Sequence, residues 1–275
     1  MKFDMSRAWN EAVAMIGGNR EVLTIVAGLF FFVPAVITTM VVPEMPQPPA
    51  GADPQQVFER LGETMAATYA QYWWLFLLAT IVQGIGTIAL LALLRDSARP
   101  TVGEAIRTGA TGFLPYILAS ILIGFAVVLV ALVLVGLPSL VTPALGVLGA
   151  LLALLVIVYM MVKFSLVGPV IAIEKIFNPA AALKRSWGLT KGNSLRLFGF
   201  YLLLFIVYMV IAAIVTAVLG LLVAGLGMGT VSQVVQGLIS GLLGAVVTVV
   251  FVSVLAAVHR QLAGPSAENL GETFD

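Results

Sequence analysis

Apolar residues gather in six long runs along this chain: Val22–Val42, Tyr72–Leu94, Phe113–Val135, Ala144–Val162, Leu197–Val223 and Val231–Val258. Each holds about 20 residues or more, enough for a helix rising about 1.5 Å per residue to cross a hydrocarbon layer of about 30 Å. The pattern predicts an all-α, polytopic integral membrane protein whose six transmembrane helices form three hairpins. The last two runs exceed what a perpendicular crossing needs, so those helices are expected to tilt or to project beyond the hydrocarbon.

A short amphipathic stretch ending in glycine precedes each odd-numbered run. In the first, Met5, Trp9, Ala12, Val13 and Ile16 share one face, Asp4, Arg7 and Glu11 the other, and Gly17-Gly18 is the expected stop. In the second, Thr101-Val102-Gly103-Glu104 has capping-box spacing, with Val102, Ala105 and Ile106 facing one way and Glu104 and Arg107 the other. In the third, Asn178 caps and Pro179 opens the helix. Ala180, Leu183 and Trp187 form its apolar face, Lys184, Gly188 and Lys191 oppose it, and Gly192 stops it. The first and third stretches share literal residues: Arg7-Ala8-Trp9 with Gly18-Asn19, and Arg185-Ser186-Trp187 with Gly192-Asn193. The chain therefore divides into three units, roughly 1–95, 96–172 and 173–260, each an interfacial helix followed by a helical hairpin. Such helices are expected in the headgroup plane, with their tryptophans in the interface.

Composition strengthens this picture. The chain is 61% hydrophobic and 10% charged, against roughly 25% charged in soluble domains. Of its 14 Lys and Arg residues only Arg60 falls on the far side of the predicted membrane. The positive-inside rule then puts both termini, and the three amphipathic stretches, in the cytoplasm. With no signal-peptide pattern, the expected location is a bacterial inner membrane. Two outer loops, around Gly136–Pro143 and Ala224–Thr230, carry no charge and read as tight hairpins. The third, spanning 43–71, opens with a proline-rich segment. It continues as a helix capped by Asp53 and opened by Pro54, with Val57, Leu61, Met65 and Tyr69 on one face, expected to lie over the outer ends of the spans. Residues 261–275 read as a disordered cytoplasmic tail.

Few residues offer chemistry. The chain has no cysteine and one histidine, His259, so thiol chemistry and multi-His metal sites are excluded, and no cofactor is expected. A lone histidine beside Arg260 at the end of the last run is expected to be interfacial rather than catalytic. No Asp or Glu interrupts the apolar runs, which counts against ion-coupled transport. The one charge inside them is Lys163, near a span end, where a lysine snorkels or meets a lipid phosphate. The candidate headgroup contacts are Lys163, Lys184, Arg185, Trp187, Lys191, Arg7, Trp9 and Arg107, and the candidate helix-packing residues are Gly237, Gly241 and Gly244.

Pro169, Glu174, Ala182, Arg185-Ser186-Trp187, Leu189-Thr190 and Gly192-Asn193 fall in a segment of about thirty residues. It resembles the glycerophosphoryl diester phosphodiesterase membrane domain, a six-span bacterial family that includes YciC-like inner-membrane proteins. The resemblance implies the fold. It implies no activity, because the chain lacks the acidic and histidine motifs of the phosphodiesterase domain fused to some relatives. The expected function is a non-enzymatic membrane protein that binds or moves lipid or another amphiphile, or supports membrane homeostasis. The alternative is a scaffold or regulatory subunit of a transporter or export complex. Partners are expected among membrane lipids, with a second copy or another membrane protein as alternatives and nucleic acid excluded.

Overall fold

The computed structural model of the protein describes residues 2–43, 51, 53–95, 101–226 and 230–264. Six helices are long and apolar enough to cross a membrane: Arg20–Val41, Gln55–Leu93, Val102–Ser139, Pro143–Ala172, Ser194–Leu221 and Val231–Ala263. These are spans one to six. No strand occurs among the described residues, and the protein is an all-helical polytopic membrane protein. The proline-rich opening of the outer loop at 44–50, Arg99, residues 227–229 of the expected hairpin and the acidic segment 265–275 lie outside the described residues.

Capping residues carry several spans beyond their apolar runs. Asp53 accepts the Gln55 N–H at 3.0 Å, Pro54 fills the first turn, and the helix then continues to Leu93 for 40 residues, about 60 Å. Tyr72, at φ −110° and ψ 19°, kinks it. The outer part does not fold over the span ends as the sequence suggests. Phe58 is 78% exposed and Leu61, Met65 and Tyr69 are uncovered, because the helix runs on into span two and projects away from the bundle. At the other end of the chain, span six stays helical to Ala263, so the tail begins later than residue 261.

Two prolines leave matching marks. Pro34 and Pro138 have no N–H, and the turn before each widens to a π-turn. There the Val33 N–H reaches the Gly28 carbonyl and the Leu137 N–H reaches that of Leu132. The wide turn in span one buries Phe30 and Phe31. Gly86 on span two makes room for them: a Cβ there would stand 2.5 Å from the Phe30 Cβ.

The amphipathic stretches form helices at Met5–Gly18 and Pro179–Leu189. The middle one has its Thr101–Glu104 capping box but no stop, and runs straight into span three. Its glycines are approach points instead. A Cβ on Gly109 would lie 2.5 Å from the Ile85 carbonyl oxygen, and one on Gly112 2.8 Å from Ile88. In the third stretch the stop holds, with Gly192 at φ +81°, a conformation glycine adopts without strain.

The two separate helices bury a different face from the one their large apolar residues suggest. Ala8 and Ala12 are buried in the first, and Ala182, Ser186 and Leu189 in the third. Ala180 lies on the exposed side. Trp9 is 41% and Trp187 40% exposed. Small residues let backbones approach, while large apolar ones lose nothing by facing lipid. The shared triplets occupy matching places: Ala8 and Ser186 are fully buried, and the tryptophan beside each faces outward. Asn19 and Asn193 each accept the first backbone bond of the following span, from Leu23 and Leu197, at 2.9 Å.

Buried side chains crowd one end of the bundle. They include Ile88–Leu94 in span two, Val162 and Leu166–Ala172 around the end of span four, and Val252–Val258 in span six. This is also the end that carries Arg20, Arg107, Lys163 and Arg185, and it is the basic end of the molecule. Span six is the hub, packed on span one and on the N-terminal helix. Spans three and five keep most of their apolar surface outward.

Candidate functional site

Lys163 closes the last turn of Pro143–Phe164 at the basic end. Its carbonyl accepts from the Ser186 hydroxyl at 2.8 Å and the Thr190 hydroxyl at 3.5 Å. These bonds seat the helix Pro179–Leu189 against span four. The Lys163 side chain is only 3% exposed. Its ammonium stands 5.0 Å from the Trp187 ring centroid and 5.5 Å from that of Tyr159. The two rings meet edge to face at 5.7 Å, and Phe164 abuts Trp187 at 5.5 Å. Among the described residues no carboxylate is within ion-pair distance of Lys163. Two cation–π contacts of roughly 0.5–2 kcal/mol each offset only part of the several kcal/mol needed to desolvate an ammonium. The rings that cover it are themselves 40% (Trp187) and 46% (Tyr159) exposed, so the cation lies one ring's thickness from the bundle surface.

Beside it the chain builds an ion-paired knot. Glu174, in the link between spans four and five, takes the Arg185 Nε–H at 2.8 and 3.2 Å through its two oxygens. The His259 Nε2 lies 2.8 Å from Oε1. An ionised carboxylate only accepts, so Nε2 carries the proton and donates. Partial burial alone would raise the Glu174 carboxyl, but the bonds from His259 and Arg185 and their positive charge outweigh it and hold the group at about 2. The knot ties the third interfacial helix to the end of span six. Lys175, next to it, has φ 56°, a strained position for a side-chain-bearing residue.

The N-terminus joins the same end. The Phe3 N–H donates to Asn193 Oδ1 at 2.9 Å. The Asp4 N–H donates to Gln261 Oε1 at 2.9 Å, and Gln261 Nε2 returns a bond to the Asp4 carbonyl at 3.2 Å. The rings of Phe3 and Phe200 lie 5.6 Å apart.

The structure brings Lys163 and Trp187 together. Lys184, Lys191 and Arg107 are exposed, and no carboxylate partner is present for them among the described residues. Arg185 is occupied by Glu174, and Arg7 by Glu11 at 2.8 Å. Trp9 faces outward on the N-terminal helix. Of the glycines on span six, Gly237 abuts Thr39, and Gly241 abuts Val36 and Phe32, both on span one; Gly244 faces open space. His259 is buried and bonded rather than interfacial, since span six carries it into the core. Tyr159 and Gln261 escape the sequence reading, and Ser186, Thr190 and Asn193 enter it as motif residues without their contacts. Tyr159 alone had a signal, lying one helical turn before Lys163.

The profile of a domain of unknown function (DUF7847) matches residues 25–262. No curated protein and no solved structure matches the chain. These comparisons give no support to the glycerophosphoryl diester phosphodiesterase membrane domain expected from the segment between Pro169 and Asn193.

Proposed function

Since the chain belongs to the family of the domain of unknown function DUF7847, we propose a role from its own geometry: it is a non-enzymatic membrane protein that binds anionic lipid at its basic end. The observation that carries this reading is the Lys163 ammonium, buried behind the outward-facing rings of Tyr159 and Trp187 with no carboxylate among the described residues to neutralise it. A lipid phosphate supplies the missing charge, and the exposed Lys184 and Lys191 add attraction of about 1 kcal/mol each near an anionic leaflet. Trp9 and Trp187, on matching helices, suit the headgroup region. The positive-inside bias supports putting this end at the cytoplasmic leaflet of a bacterial inner membrane, and the matching Arg–small–Trp triplets favour the three-unit reading of the chain.

The test is native mass spectrometry of the full chain from nanodiscs of phosphatidylglycerol or phosphatidylcholine. The wild type is expected to retain phosphatidylglycerol preferentially, and Lys163→Met to lower that preference about fivefold, the equivalent of about 1 kcal/mol. Equal retention of both lipids by the wild type would overturn the proposal. A second reading, a scaffold or regulatory subunit, is favoured by the projecting helix with its uncovered Phe58. Cross-linking from that position that recovers a different membrane protein would support it.

A further inference from the structure

A groove of about 410 Å³ opens between spans one and six, away from Lys163 and sharing no residue with its surroundings. Ile16, Gly28 and Phe32 form one wall, Ala245 and Val249 the other, and Arg20 stands where the groove meets the basic end. Three features of the chain create it. Gly28 has no side chain, and a Cβ there would meet no atom within 4 Å. The π-turn starting at Gly28 buries Phe30 and Phe31 in the core, leaving Phe32 to line the space. The Thr24 hydroxyl is spent on the Arg20 carbonyl at 2.7 Å, so the lining stays apolar below the arginine.

We propose that this groove holds one acyl chain of an anionic membrane phospholipid, with Arg20 on its phosphate. The volume lies within the range of about 300–1,000 Å³ typical of small-molecule sites, and it is too small for a partner helix about 10 Å across along a whole span. Apart from Ile16 on the N-terminal helix, the lining belongs to spans one and six, so the competing occupant is the bilayer itself. Among the described residues Arg20 has no carboxylate in ion-pair distance. A guanidinium at the polar end of an apolar slot matches a phosphate above a hydrocarbon chain, and that charge complementarity selects the occupant.

The experiment uses the full chain, extracted in mild detergent from nanodiscs of dioleoyl phosphatidylglycerol or dioleoyl phosphatidylcholine, with retained lipids counted by native mass spectrometry. One tightly held phosphatidylglycerol is expected. Gly28→Leu fills the free space and is expected to weaken retention of both lipids about tenfold. Arg20→Gln keeps the chain site and loses about tenfold in preference for the anionic lipid. Val249→Trp fills the groove from the opposite wall and is expected to repeat the Gly28→Leu result, so a folding defect in one variant leaves the other decisive. Lys163→Met is expected to leave the tightly held lipid in place. The proposal is overturned if both filling variants hold one lipid as tightly as the wild type, or if Lys163→Met removes that lipid while Arg20→Gln does not. The latter result would leave the Lys163 site standing alone.

Discussion

Replacing Glu174 with Gln keeps the shape of the knot and removes its charge. Holding the carboxyl at about 2 instead of 4.5 sets an upper limit of about 3 kcal/mol, at 1.36 kcal/mol per tenfold change in proton affinity. The Arg185 side chain is 43% exposed whereas that of His259 is 4% exposed. Water therefore screens the arginine half of the knot, leaving about 2 kcal/mol. The folded carboxyl is the stronger acid, so unfolding takes up a proton. The stabilisation is whole above about pH 4.5 and fades as the pH falls to about 2. In nanodiscs at pH 6, Glu174→Gln is expected to lower the unfolding midpoint by roughly 4–8 °C. The gap from wild type should close between pH 4.5 and pH 2. A gap that stays constant across that window would refute an ionic origin, and a gap under about 0.5 kcal/mol at pH 6 would refute the knot as a structural tie.

Four further outcomes follow from the same geometry. Lys163→Met in phosphatidylcholine is expected to leave stability unchanged or raise it by up to about 2 kcal/mol, since it removes a buried cation that only two rings offset; thermal unfolding in that lipid checks it. Gly149→Ala places a Cβ on the Leu134 carbonyl oxygen where spans three and four meet, and is expected to destabilise by about 1–3 kcal/mol. Gly124→Ala, whose Cβ meets no atom within 4 Å, should stay within about 0.5 kcal/mol of wild type in the same assay. Ser186→Ala deletes the fully buried bond to the Lys163 carbonyl and should cost about 1 kcal/mol, with faster hydrogen exchange in the helix Pro179–Leu189 as a second readout.

Much of the architecture is legible without coordinates, because a bilayer demands long apolar runs and capping chemistry is local. Asp53 with Pro54, the Thr101–Glu104 box, Asn178 with Pro179 and Gly192 all act as their residue types predict. The buried faces of the interfacial helices are not legible by the usual rule. Burying large apolar residues is favourable in water, but beside lipid Met5, Trp9 and Val13 gain little from it, and close approach of Ala8 and Ala12 decides the packing. Glycine is ambiguous for a related reason. Gly192 ends a helix, whereas Gly109 and Gly112 admit a neighbouring span. The candidate site is legible in its cations and tryptophans but not in its pairings. Lys163 meets Trp187, and Glu174 meets His259 85 positions away, and no local pattern encodes either contact.

The clasp of Asp4 on Gln261 joins residues 257 positions apart, and spans one and six are each other's principal neighbours. During synthesis the first span therefore enters the bilayer long before its partner has been made. Its packing face, with Phe32 and Val36 awaiting Gly241, must be shielded by lipid or an insertion chaperone in the interval. Truncation within the last span should leave five inserted helices without a closed bundle. Closure of so long a loop makes this step of assembly slow, so the bundle closes last where span six meets span one.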